Sequence, residues 1–161
     1  MQISIILPTY NEKDNIVRLV ETIKKLDIEQ TFEILIIDDN SPDGTYQFSK
    51  DKLSDDKNIK IVLRKNIRGL AFSIKEGIEK SLGDHVIVMD TDFTHDPILI
   101  KKMISLRNQY EIISGSRYVS GGYMENHLHG KLSYYYNIML KFILKTKIND
   151  NLGGYFLIKR D

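Results

Sequence analysis

Apolar and polar positions along this chain follow two periods that take turns. Short runs rich in β-branched and aliphatic residues at Ile3–Leu7, Glu33–Ile37, Ile59–Leu63, Val86–Met89 and Glu111–Ser114 predict strands, and Tyr155–Ile158 predicts a last one. Between them the spacing becomes helical. Behind Asn11 as a cap, Ile16, Leu19, Val20 and Ile23 share one face of a helix predicted over Glu12–Leu26. Ser41-Pro42-Asp43 reads as a cap with a first-turn proline, opening a helix that runs to about Leu53. Leu70, Ile74 and Ile78 stand at i, i+4 and i+8 of a helix over Gly69–Leu82, and another helix is expected over Pro97–Tyr110. Residues 115–129 are polar and glycine-rich and read as a loop. Lys131–Lys145 places Leu132, Tyr136, Met139 and Ile143 along one helical stripe.

Strands that alternate with helices predict an α/β fold, with a mostly parallel central sheet and helices on both faces. In such a sheet the C-terminal ends of the strands share one edge, where ligands bind. Four of the predicted strands run into polar clusters there. These are Pro8-Thr9-Tyr10-Asn11-Glu12, Asp38-Asp39-Asn40-Ser41, Asp90-Thr91-Asp92 and Gly115-Ser116-Arg117-Tyr118. The sharpest is the third, where an apolar run ends abruptly in two carboxylates spaced i, i+2. Two hard oxygen ligands suit Mg2+ or Mn2+, ions that commonly complete their shell with substrate phosphates. Taken alone, the pair is equally compatible with turn or helix-cap aspartates.

Composition narrows the class. The 161 residues fit one domain, and 42% hydrophobic with 28% charged residues describes an ordinary globular chain. No apolar run approaches the length of a bilayer span. Met1-Gln2-Ile3-Ser4 reads as the approach to a first strand and lacks the basic region of a signal peptide. With no cysteine, disulfides and thiolate metal sites are excluded, and a cytoplasmic location is expected. The net charge of +1 conceals an asymmetry. Residues 1–100 carry 13 Lys/Arg and 18 Asp/Glu, and residues 101–161 carry 10 and 4. An acidic half suits a metal, and a basic half suits an anion or an anionic membrane. The basic amphipathic helix over 131–145 fits either a membrane surface or packing against the sheet or a second subunit, so a homo-oligomer stays open. No nucleic-acid partner is indicated. His95 follows the acidic pair closely enough to reach the same edge, whereas His127 and His129 lie in the polar loop, and surface or cap roles are expected of all three.

Five segments in fixed order carry a resemblance over essentially the whole chain: Leu7-Pro-Thr-Tyr-Asn-Glu12, Ile36-Ile-Asp-Asp-Asn-Ser-Pro-Asp-Gly-Thr45, Arg68-Gly-Leu70, Val88-Met-Asp-Thr-Asp92 and Gly115-Ser-Arg-Tyr-Val119. The set resembles the family 2 inverting glycosyltransferases of GT-A fold, and within them the polyprenyl-phosphate glycosyltransferase branch that includes dolichol-phosphate mannose synthases. The resemblance implies a nucleotide-sugar-binding fold in which Pro8, Tyr10 and Glu12 line the nucleotide pocket and Asp39 reads the base. It implies that Asp90 and Asp92 hold Mg2+ or Mn2+ on the donor diphosphate, and that Arg117 and Lys131 meet the acceptor phosphate. It makes GDP-mannose the first donor to expect and UDP-glucose the second, with a polyprenyl or dolichyl phosphate at the cytoplasmic face of a membrane as acceptor. Two departures stand out. Thr94 occupies a position where this branch often has glutamine, a possible extra metal contact that threonine is too short to repeat. Asp150-Asn-Leu-Gly-Gly-Tyr-Phe156 replaces a segment that ends in a basic residue in relatives, and the chain then stops at Asp161, short of their usual C-terminal elements.

The implied chemistry is physically coherent. A nucleoside diphosphate leaving group gathers negative charge, which a carboxylate-held divalent ion stabilises. A phosphate-monoester acceptor is already mostly ionised at neutral pH. It needs opposing cations more than a general base, and arginine suits phosphate in a bidentate grip. A competing reading from another class is a receiver-like signalling domain, since Ile34-Leu-Ile-Ile-Asp-Asp-Asn40 resembles its acidic pair. That reading leaves residues 1–33 unexplained, and it lacks the Lys-Pro pair expected after the strand ending near Ile113. A dehydrogenase is excluded because no Gly-x-Gly-x-x-Gly follows the first strand.

Overall fold

The computed structural model of the chain describes residues 1–116, 150 and 153–160. Its elements run β1 (Ile3–Thr9), α1 (Ile16–Lys24), β2 (Phe32–Asp38), α2 (Thr45–Leu53), β3 (Ile59–Leu63), α3 (Leu70–Lys80), β4 (His85–Val88), α4 (Leu99–Leu106), β5 (Ile112–Ser114) and β6 (Phe156–Lys159). The chain divides into two compact units, Met1–Ile113 with Tyr155–Asp161, and Ser114–Gly154. The loop and helix expected over 115–149 lie almost wholly outside the described residues.

Among the described residues the strands form one sheet in the order β3-β2-β1-β4-β6-β5. β1 is parallel to β2 and to β4, and β2 is parallel to β3. β6 returns antiparallel to β4. The mostly parallel sheet expected from the alternating pattern is therefore present, with one reversed strand. Strand alternation sorts the side chains into two cores. Ile5, Leu7, Ile34, Ile36, Ile87 and Met89 pack with α1, α2 and α4 on one face. Ile6, Leu35, Ile37, Val86 and Val88 pack with Ile74 and Ile78 of α3 on the other. All four α1 residues placed on its apolar stripe are fully buried. Leu70 departs from its predicted stripe and is half exposed, because α3 seats itself from Ile74 onward. The helix sits so close to β1 that a Cβ on Gly77 would lie 2.5 Å from Ile6 Cγ2.

One polar network fastens the edge of the sheet opposite the strand C-termini. Glu33 is buried and accepts from Ser4 Oγ at 2.6 Å and from the Leu82 amide at 2.6 Å, with Lys60 Nζ at 2.8 Å. Ser4 Oγ in turn accepts from the Gly83 amide at 2.8 Å. Burial pushes the Glu33 carboxyl up, but the Lys60 ammonium and the Ser4 and Leu82 hydrogen bonds outweigh it and hold the acid below its ordinary 4.5. A group whose acidity rises on folding stabilises the fold above its unfolded pKa, and the contribution disappears as pH falls through the lower folded value. Acid unfolding of the wild type should therefore steepen below about pH 4.5 relative to Glu33→Gln. Equal pH slopes in urea titrations would show that Glu33 is not the linked group.

Candidate functional site

The strand order reverses between β1 and β4. The chain passes from β1 outward to β2 and β3, then crosses back to place β4 on the other side of β1. A switch point of this kind opens a crevice beyond the strand C-termini. The ladder shows where the opening begins. β1 pairs with β2 as far as Thr9, but with β4 only as far as Ile6. Ile6 O accepts from the Met89 amide at 3.1 Å, so by alternation Pro8 faces the β4 side, past the last paired residue. A proline, which has no N–H to donate, is tolerated in this interior strand because it falls beyond the last β1–β4 pair, where the ladder has ended.

The loops after β1 and β2 are built as one piece. The amides of Asn11, Glu12 and Lys13 donate to Ser41 Oγ, Thr45 Oγ1 and Asp43 Oδ2 at 3.0, 3.0 and 3.2 Å. Asp38, fully buried, accepts from Thr9 Oγ1 at 3.1 Å, from Ser41 Oγ at 2.6 Å and from the Ser41 amide at 2.9 Å. Asp43 accepts from the Thr45 amide and hydroxyl at 2.9 and 2.6 Å. Partial burial raises the Asp43 acid, and the Thr45 and Lys13 hydrogen bonds more than reverse this, so it stays ionised. These bonds correct two predicted helix starts. α1 begins at Ile16 instead of Glu12, because the amides expected in its first turn serve the neighbouring loop. α2 begins at Thr45 instead of near Pro42, because Asp43 closes a turn onto Thr45 and Gly44 takes a left-handed φ of 83°.

Asp39 is the buried charge of the site. Its Oδ1 pairs with Arg64 Nη1, and its Oδ2 accepts from the Gly69 amide at 2.9 Å. Arg64 follows β3 and spreads its remaining donors over Glu76 Oε2 at 2.9 Å, Ser73 Oγ at 3.1 Å and the Ile67 carbonyl at 3.2 Å. Four residues along the same loop, Arg68 lays its guanidinium 4.3 Å from the centre of the Tyr10 ring. Loop 64–69 thus ties Tyr10 to Asp39, two positions that the sequence placed on separate strand ends. Glu12 is half-buried and accepts from Asn15 Nδ2 at 3.0 Å.

Asp90 and Asp92 follow β4 on the same edge. Thr91, between them, is buried with its hydroxyl unpartnered among the described residues. Asp92 is exposed, and its Oδ1 accepts from the Thr94 amide at 3.0 Å and the Thr94 hydroxyl at 2.7 Å. His95 brings Nδ1 to 3.6 Å from Asp90 Oδ2, outside hydrogen-bond range, and that buried nitrogen has no hydrogen-bond partner among the described residues. Its ring packs 5.0 Å from the ring of Tyr155, which is itself fully buried just before β6. Burial, then the nearby Asp96 charge, raises the Tyr155 phenol well above its ordinary value, so it acts as a neutral buttress. The donor set fits a hard divalent cation. Asp90 and Asp92 supply carboxylate oxygens, and two neighbouring buried polar atoms, Thr91 Oγ1 and His95 Nδ1, are unpartnered among the described residues. Asp90 and Asp92 would hold the ion, with substrate oxygens completing its shell.

Pro8, Tyr10, Glu12, Asp39, Asp90 and Asp92 are therefore brought to one edge. Arg117, Lys131, His127 and His129 lie outside the described residues. The sequence reading gave no role to Arg64, and it took Ser41-Pro42-Asp43 only as the start of a helix, not as the acceptors that hold the loop after β1. An arginine directly after a strand was the one visible signal.

The residues 4–161 match the model of the family described as Glycosyl transferase family 2. The chain belongs to that family. It is 35% identical over its whole length to a dolichol-phosphate mannosyltransferase of Pyrococcus furiosus, of which it covers 47%. The chain thus spans about half the length of this curated relative. Its structure resembles the glucosyl-3-phosphoglycerate synthase of Mycobacterium tuberculosis in complex with Mn2+, uridine diphosphate and glucosyl-3-phosphoglycerate, with a TM-score of 0.73 at 16% identity over 99% of this chain and 57% of that one. It also resembles a mannosyltransferase of Pyrobaculum calidifontis in complex with GDP-Man and Mn2+, with a TM-score of 0.68 at 19% identity over 99% of this chain and 44% of that one. The fold is the GT-A fold of glycosyltransferases. The family match takes in residues 4–33, which the receiver-like reading leaves unexplained, and that reading falls.

Proposed function

We propose that this family 2 chain carries the donor half of a metal-dependent inverting glycosyl transfer, from a nucleotide sugar to a polyprenyl or dolichyl phosphate. The observation that carries the reading is the Asp90/Asp92 pair at the β1/β4 switch point, on the edge shared with Tyr10 and Asp39. Mannose from GDP-mannose is the first choice of donor, supported by the 35% identity to a dolichol-phosphate mannosyltransferase. UDP-glucose is second, supported by the uridine diphosphate bound to a structural neighbour.

In this reading an acceptor phosphate oxygen attacks the anomeric carbon from the face opposite the leaving group. The glycosidic C–O bond breaks, and the nucleoside diphosphate departs with the electron pair. A divalent cation, when bound, neutralises the charge gathering on that diphosphate. Asp90 and Asp92 would hold it, Asp39 with Gly69 and Arg64 shapes the base end, and Tyr10 offers a ring face for stacking. Arg117 and Lys131 are the cations assigned to the acceptor phosphate. The lipid acceptor places the work at the cytoplasmic face of a membrane. Among the described residues no helix is long and apolar enough to cross one.

Calorimetry with GDP-mannose and UDP-glucose, each with Mn2+ and with EDTA, tests the proposal. Binding that needs Mn2+ and prefers GDP-mannose is the expected result. Preference for UDP-glucose would move the donor, and absence of metal dependence with both would remove the assignment.

A further inference from the structure

Three non-glycine residues of the described chain have left-handed backbone: Asn11 at φ 62°, Asn40 at φ 56° and Phe93 at φ 62°. All three follow C-terminal ends of the adjacent parallel strands β1, β2 and β4. Asparagine enters this region readily. A bulky aromatic residue does so at a real energetic cost, and such strain persists only where the surroundings enforce it.

The enforcement is visible. The Phe93 ring packs against the core on the α1 face of the sheet, and the Arg18 guanidinium of α1 lies 4.1 Å from its centroid. A ring held between core and cation cannot swing out to relax the backbone. The consequence falls on the residues either side. The reversal at Phe93 brings the Thr94 amide and hydroxyl onto the same oxygen, Asp92 Oδ1, at 3.0 and 2.7 Å. One carboxylate oxygen is thereby fixed by two donors, which aims the other.

We propose that Phe93, clamped by Arg18, is a positioning residue whose left-handed corner orients the Asp92 carboxylate toward the divalent cation of the donor diphosphate. The proposal rests on the metal-dependent donor reading above. It also gives Thr94 a job that replaces the direct metal contact a longer glutamine would make. Thr94 holds the ligand, and α1 tunes metal affinity through the Phe93 ring that Arg18 covers.

The test separates positioning from packing. Phe93→Ala removes the ring, Arg18→Leu removes the cation from an exposed helix position with little risk to folding, and Thr94→Val removes one of the two donors. For each, GDP and UDP affinities are measured with Mn2+ and with EDTA, alongside Mn2+ binding by electron paramagnetic resonance and urea stability. The expected result is Mn2+ affinity roughly tenfold weaker in Phe93→Ala, as for other groups that orient a metal ligand, with smaller losses in the other two. Metal-free nucleotide affinity should stay at the wild-type value. Equal loss with Mn2+ and with EDTA, or unchanged Mn2+ affinity in folded Arg18→Leu and Thr94→Val, overturns the positioning role while leaving the donor reading intact. Wild-type binding that ignores Mn2+ altogether overturns both.

Discussion

Asp39→Ala should cost about 3 kcal/mol of folding stability, whatever it does to nucleotide binding. Removing one member of a buried ion pair strands the other, and such losses run to about 3–5 kcal/mol. The Asp39 and Arg64 side chains are only 6% and 5% exposed. Glu76 stays beside the guanidinium at 2.9 Å, which puts the loss at the lower end of that range. The Gly69 amide also loses its acceptor, so the corner beneath Arg68 and Tyr10 should loosen. Urea denaturation of Asp39→Ala, Arg64→Met and the double variant measures this. The double variant should regain much of the loss, since no fully buried charge is left unpaired and the part-exposed Glu76 keeps Lys80 at 3.7 Å. A double variant as unstable as the sum of the singles would show that the two side chains act independently. The result bears on function too. Lost nucleotide affinity in Asp39→Ala confounds base recognition with collapse of the loop, whereas Asp39→Asn keeps the shape and removes the charge. If Asp39 reads the base, a folded Asn variant should bind nucleotide more weakly by roughly 1–3 kcal/mol, with or without metal.

That ion pair also marks the limit of what the sequence displays. The strands were legible because burial on two faces demands unbroken apolar runs. β3 occupies the residues expected of it, and α1 buries the four side chains its spacing selected. α3 opens at Leu70, beside its expected start at Gly69, but the start of α1 was not legible, because it depends on partners far away in sequence. The amides of Asn11 to Lys13 are taken by side chains 30 to 33 residues onward. α4 is shorter than its pattern at both ends, opening with turn-like bonds from Leu99 to Asp96 and from Ile100 to Pro97. Within the candidate site, the i, i+2 spacing after an apolar run marked Asp90 and Asp92 as candidates, but spacing alone did not separate them from turn aspartates. The Asp39–Arg64 pair could not, since 25 residues separate its members and no periodicity links them. His95 gave a similarly weak signal. Its place beside Asp90 is set by Tyr155, sixty residues later, which only the return of the chain beside β4 brings near.

Asp92→Ala is expected to abolish most Mn2+-dependent nucleotide-sugar affinity and to lower transfer by about 10²-fold or more while the protein stays folded. The stability half follows from exposure. Asp92 sits at the rim, and its described bonds go to exposed Thr94 two residues away, so no buried partner is stranded. This is the reverse of Asp39, and the two variants together separate a structural carboxylate from a functional one. The functional half follows from charge. With two carboxylates as the protein's contribution, losing one leaves a single anionic ligand for a hard cation that must also bridge a diphosphate. Interactions aimed at a leaving group's developing charge are worth about 10²–10³ in rate when a single one is removed. The loss should appear with Mn2+ present and vanish in EDTA, where wild type and variant should bind nucleotide alike. Asp92→Asn should behave nearly as badly, since a neutral amide keeps the shape without the charge. Wild-type Mn2+ dependence in a folded Asp92→Ala would sink the assignment of Asp92 as a ligand and leave Asp90 with His95 as the pair to examine.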